Sequence, residues 1–238
     1  MGRVLGGIVG SAAALVLLLA QPCAASVVGD WQMDEPPGAT AMVDSSGHGL
    51  TGDVGSLVQT GIPTPTGLGY RFSGESTERD PERLVVVPDD PLLDPHSRAY
   101  SVTLRFKTHL GSRNLVQKGQ SGEPGGYWKV ELHRGWPTCL FRDETGLTRA
   151  VGLVNGPKSW RADDRRWHTV RCERRPRSVR IKLDAGTPHA VTKKVHGRLG
   201  RIANQRPLMI GGKLDCSGEA VGCDYLTGKM DWLRIRKR

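Results

Sequence analysis

The sequence lacks the short signatures of the common catalytic centres. It has no Gly-x-Ser-x-Gly elbow, no His-Glu-x-x-His run and no CxxC pair. A hydrolase nucleophile, a zincin helix and a four-cysteine zinc site therefore have no anchor. Aromatic residues are few, at 5%. No internal repeat is visible, and no amphipathic helix runs beyond two turns. The composition is also far from the bias of collagen or of disordered chains. No apolar run reaches the roughly 20 residues that a membrane-spanning helix needs. The longest, Val4–Ala20, follows Arg3 and ends at Gln21-Pro22, ahead of the small residues Cys23-Ala24-Ala25. This is the pattern of a secretory signal peptide, and cleavage after Ala25 is expected. The mature chain would then be residues 26–238, a secreted protein with no integral membrane segment.

What is present points to strands. Ser101–Lys107 puts Val102, Leu104 and Phe106 on one face and Thr103, Arg105 and Lys107 on the other. His168–Glu173 and Ser178–Asp184 alternate in the same way. Leu84–Val87, Tyr127–Leu132, Thr138–Arg142, Pro207–Ile210 and Lys229–Arg236 read as further strands, divided by Gly, Pro, Asp and Ser. Many short strands with frequent turns predict an all-β, antiparallel two-sheet sandwich in one domain. Ser56–Gly69 reads as a long loop within it.

Four cysteines remain in the mature chain: Cys139, Cys172, Cys216 and Cys223. Three pairings are possible. Cys172 shares the inward phase of Val170, and Cys139 that of Phe141, which favours 139–172 with 216–223. In the loop-entropy account these closures contribute roughly 3.8 and 2.5 kcal/mol.

The net formal charge is +10, with arginine predominating over lysine. The densest basic run gives a hairpin on which Arg171, Arg180 and Lys182 face outward and Arg174, Arg175 and Arg177 sit at the tip. It reads either as an anion-binding patch, suited to an anionic polysaccharide, or as a solvated face. No aromatics interleave the arginines and the chain is expected to be exported, so nucleic acid is not an expected partner.

The order of motifs resembles the laminin G-like jelly roll of the concanavalin A-like lectin/glucanase superfamily, in its secreted actinobacterial form. The resemblance rests on VVGDWQMDE with DSSGHGLTG, on YRFSGE with LVVVPDDPLLDPHSRAYSVTLRFKT, on LVQKGQSGEPGGYWKVEL, on RRWHTVRCERRPRSVRIKLDAG, and on LMIGGKLDCSGEAVGCDYLTGKMDWLRI. These stretches span Val27 to Arg236. The resemblance implies extracellular recognition of glycans or proteins, often with calcium. Calcium would be structural here. Its expected ligands are Asp44, in the DSSGHG loop, and Asp231, in phase with Leu233 and Ile235. The other reading is that both acids serve turns by accepting backbone N–H bonds.

Glucanases of that superfamily carry paired acids on one strand, in a Glu-x-Asp-x-x-Glu or Glu-x-Asp-x-Glu pattern, and no such pair is expected here. Asp89-Asp90 and Asp163-Asp164 are adjacent pairs whose side chains would diverge into solvent. No enzymatic activity is expected. A non-catalytic glycan-binding module is the leading reading; an adhesion protein and a divergent glycan-cleaving enzyme are the alternatives. A groove lined by aromatics and amides would favour the first of these, a featureless sheet the second and facing carboxylates the third. Among the tryptophans, Trp136, between Gly135 and Pro137, is the expected exposed ring, with Trp167 and His168 in structural roles.

Overall fold

The computed structural model describes residues 1–2, 25–73, 81–213 and 224–238. Nearly all of the expected leader, and the expected Cys216–Cys223 bridge, lie outside the described residues. The described residues contain no helix long and apolar enough to cross a membrane.

Two antiparallel sheets make the expected sandwich. The first contains β1 (Ser26–Trp31), β4 (Tyr70–Phe72), β6 (Tyr100–Thr108), β11 (His168–Arg175), β12 (Ser178–Leu183), β13 (Val191–His196) and β15 (Gly228–Lys237). Its order is β1-β15-β6-β11-β12-β13, with β4 also on β15. The first and last strands are thus neighbours. The second contains β2 (Ala41–Met42), β3 (Gly52–Val54), β5 (Val85–Val87), β7 (Arg113–Lys118), β8 (Tyr127–His133), β9 (Trp136–Arg142), β10 (Thr148–Gly152) and β14 (Leu208–Ile210). Its order is β10-β9-β8-β7-β14-β5-β3-β2.

The period-2 alternation sets the core. Val102, Leu104, Phe106, Val170, Val179, Ile181, Leu183, Leu233 and Ile235 from one sheet face Val116, Val130, Leu132 and Phe141 from the other, all buried. Each such side chain removed from water contributes about 1.5–3 kcal/mol. Trp31 and Trp128 are buried with them. Cys139 on β9 and Cys172 on β11 form the expected disulfide, Cα–Cα 5.6 Å. It ties one sheet to the other through the core. Gly125 and Gly126 set the entry to β8, both at positive φ. A Cβ on either would strike a backbone carbonyl, of Ala203 or Arg142 respectively.

One irregularity decides where an acid sits. The β15–β6 register shifts between Met230 and Trp232, so Asp231 is the extra residue of a β-bulge. It is 1% exposed. Its carboxylate accepts from the hydroxyls of Thr64 (2.6 Å) and Thr66 (2.7 Å) and meets the Arg105 guanidinium at 3.3 Å. It pins the 56–69 loop onto the last strand. Asp231→Asn keeps the shape and removes the charge, and is expected to cost about 2 kcal/mol, the usual value of hydrogen bonds to a charged group. Thermal melts should show the same loss in calcium and in chelator.

Candidate functional site

Register fixes the outer face of the seven-stranded sheet. Arg71, Lys229 and Lys107 are direct cross-strand neighbours over β4, β15 and β6. Like charges placed opposite each other on a sheet repel. None of the three forms an ion pair with a carboxylate among the described residues. Lys229 carries the mark of this crowding: partial burial, then Arg71 and Lys107, hold its ammonium below the ordinary lysine pKa. A cleft of about 350 Å³ opens over the row, and Arg165 and His109 line it as well. No described carboxylate does. The stretch after β4 carries Glu75, Glu78 and Asp80 and lies outside the described residues.

The other end of the same face is reached along β6 from Lys107 to Ser101, about 20 Å at 3.3 Å per residue. There a cleft of about 240 Å³ is lined by Arg171, Glu173, Arg175, Arg236 and Arg238. Glu173 sits almost buried among Arg171 (2.8 Å), Arg180 (3.4 Å) and Arg175 (3.7 Å). One acid thus organises three arginines and leaves a net positive cluster. Lys182 is opposite Arg171 on β12, and Lys194 opposite Arg180 on β13. Arg175 and Arg177 are exposed at the hairpin tip.

Arg174 departs from the expected patch. It follows the inward phase of Val170 and Cys172 and is 1% exposed. Its guanidinium donates to the carbonyls of His96, Leu199 and Gly200. Burial pushes its pKa down to about 10, with Asp143 opposing that fall. It is a structural residue whose guanidinium is turned away from solvent.

His168 is held between two acids. Nδ1 lies 2.7 Å from Asp184 and Nε2 2.9 Å from Asp164. Burial alone would lower its pKa, but the bonds to Asp184 and Asp164 outweigh burial and raise it. A raised folded-state pKa stabilises the fold fully below the unfolded value of about 6.5; the gain is lost as pH rises through the folded value. The stability gap between wild type and His168→Gln is therefore expected to be widest in mild acid and to shrink above neutrality, in urea unfolding run across pH. A gap that widened with pH would contradict this geometry.

Asp44 and Asp231 do not share a site. Asp44 accepts the N–H groups of Asp30 (2.9 Å), Ser46 (2.9 Å) and Leu50 (3.1 Å), and the Ser46 hydroxyl (2.7 Å). Burial would raise its pKa, but these four donors outweigh it and hold the carboxyl below its usual range. Donors aimed at both carboxylates leave no oxygen cage for calcium, so the residues do not fit the expected ion. Among the described residues no three His, Cys, Asp or Glu are grouped to hold a metal. The adjacent acid pairs are not simply solvated. Asp89 reaches the fully buried Lys118 ammonium, which Asp94 also holds, Asp90 caps a short 3₁₀ turn, and Asp163 pairs with Arg161. Trp136 opens β9 and is half-buried, with the Arg161 guanidinium 5.1 Å from its ring centre. Trp167 carries Arg105 at 5.7 Å in the same way. Contrary to the expectation that no glucanase-like acid pattern is present, Glu78-Arg79-Asp80-Pro81-Glu82 has that spacing. Of these, Glu82 lies in the 3₁₀ turn Pro81–Arg83, and Glu78–Asp80 are outside the described residues.

Comparison with known proteins is consistent with this fold. The profile of the laminin G domain family matches residues 106–237, more than half of the chain. The chain belongs to the laminin G domain family. Solved structures extend the match over the rest of this laminin G-like chain. The binding domain of paraclostridial mosquitocidal protein 1 superposes with a TM-score of 0.65 at 13% identity, over 90% of this chain and 49% of that one. The botulinum neurotoxin serotype G binding domain gives 0.60 at 12%, over 89% and 47%. The serotype D ligand-binding domain, solved with N-acetylneuraminic acid, gives 0.59 at 13%, over 89% and 47%. The laminin G-like chain thus spans about half the length of these structures, and the likeness establishes a concanavalin A-like jelly roll. No curated protein matches its sequence.

Proposed function

We propose that this laminin G domain is a secreted, non-catalytic binding module whose seven-stranded sheet takes an acidic glycan across its outer face. The observation that carries the reading is the Arg71–Lys229–Lys107 row. Three cations stand in register with no described counter-ion, an arrangement that an external anion relieves. The second cleft, about 20 Å away along β6, extends the same charge, so a linear polyanion suits the face better than a single small anion. Secretion is supported by the leader-like first residues and by a core disulfide, which persists in oxidising compartments. One fold relative was solved with an acidic sugar.

The test is retention of residues 26–238 on immobilised heparin, with neutral dextran as control. Retention is expected on heparin alone and should weaken steeply as salt rises past about 0.15 M, where exposed charges are screened beyond about 8 Å. Lys107→Glu with Lys229→Glu should abolish it. Arg201→Glu, a reversal at an exposed arginine paired with Glu144, should leave most of it. Elution of the double variant with the wild type would overturn the proposal.

A further inference from the structure

We infer that the opposite sheet carries a separate site for one neutral, polyhydroxylated ring of monosaccharide size. The motive is Asn114 on β7. It is 1% exposed, yet neither its side-chain nitrogen nor its side-chain oxygen has a hydrogen-bond partner among the described residues. Leaving a buried donor or acceptor unmet costs about 1–3 kcal/mol each. Folded proteins rarely leave such a group without a partner, whether protein, water or ligand. Asn114 lines an open pocket of about 170 Å³, with Gln117, Ser121, Tyr127, Lys129 and Lys213.

Register explains the assembly. Asn114 is opposite Glu131, and Gln117 opposite Lys129, across β7 and β8. A bulge between Asn114 and Val116 brings the amide round to the outer side. The pocket's two ammonium groups are already answered, Lys129 by Glu131 at 2.6 Å and Lys213 by Asp224 at 3.2 Å. Net anion attraction is therefore weak here, unlike on the seven-stranded sheet. What remains is an amide offering a donor and an acceptor side by side, with a tyrosine ring beside it. Adjacent ring hydroxyls each donate and accept, so they can meet both amide atoms, while the ring's C–H face packs on Tyr127. The volume admits a single ring. The site lies on the other sheet from the basic face, so the two ligands do not compete and the domain is bivalent.

The experiment uses ¹⁵N-labelled residues 26–238 titrated with methyl glycosides of glucose, galactose, mannose and N-acetylglucosamine. Saturable movement of the Asn114 side-chain NH₂ signals is expected for at least one of them, with a millimolar dissociation constant. Asn114→Leu should fold, since it replaces an unmet amide by an apolar group, and should weaken that binding at least tenfold while leaving heparin retention unchanged. If no glycoside moves the Asn114 signals, or if Asn114→Leu binds as the wild type does, the inference is overturned. Heparin retention on the same samples reports on the basic face separately, so either reading can fail without the other.

Discussion

Replacing Cys139 and Cys172 together by alanine is expected to destabilise the domain by about 4 kcal/mol. Most of that follows from releasing a 33-residue loop in the unfolded chain, worth roughly 3.8 kcal/mol in the loop-entropy account. The rest comes from the position of the bridge. Both sulfurs are fully buried, and the bond joins β9 to β11, strands of different sheets. Without it, no covalent bond joins β9 to β11, and alanine leaves small voids at the join. For a domain of this size the melting temperature should fall by roughly 10 °C, at about 2–4 °C per kcal/mol. A reducing agent should have a similar effect on the wild type. A fall of only a degree or two would mean that the sandwich closes without the bridge.

Arg174→Met should cost about 3 kcal/mol, while the adjacent Arg175→Met stays within about 0.5 kcal/mol. The contrast follows from their phases on β11. Arg175 is exposed, its contact with Glu173 is loose at 3.7 Å, and exposed pairs contribute little. Arg174 turns inward and gathers three backbone carbonyls from two segments, around His96 and around Leu199-Gly200. His96 holds a positive φ of 48°, and it pairs with Ile202 in an isolated bridge. Methionine fills much of the volume but offers no donors, so the Leu199 and Gly200 carbonyls lose theirs, while His96 keeps the Ile202 N–H. Arg174→Lys should recover only part of the loss, because one ammonium cannot span the positions of a planar fork. Urea unfolding of the three variants reads this directly. Equal costs at Arg174 and Arg175 would return both residues to a common surface patch.

Most of the fold was legible because alternation and burial agree. The runs around Val102, Val170 and Ile181 have apolar residues at every second position, and each became a strand facing the core. The short strands left no such trace. Ala41–Met42 and Gly52–Val54 are too brief to show a period, and Val191–His196 is an edge strand whose lysines face water. The inter-sheet disulfide followed from phase alone. Asp231 and Arg174 both follow the buried phase of their strands, but phase does not name their partners. The bulge at Asp231 breaks the count along β15, and its partners Thr64 and Thr66 come from a loop far away in sequence. The rule that charges face water places Arg174 at the hairpin tip, against the inward phase it shares with Val170 and Cys172. The Arg71–Lys229–Lys107 row could not be seen from the sequence, since it depends on β4 joining β15 across more than 150 residues. The unmet amide of Asn114 depends on a bulge in β7 that no local motif announces.

The central claim is that the outer face of the seven-stranded sheet recognises a polyanion. Backbone ¹⁵N chemical-shift mapping with a sulfated glycosaminoglycan tetrasaccharide tests it most directly. The largest movements should fall at Arg71, Lys107 and Lys229, extend along β6 and β15 toward Arg171 and Arg236, and fade as salt is raised. If those residues stay silent while the oligosaccharide binds elsewhere, or if nothing binds at low salt, the account of this face is wrong.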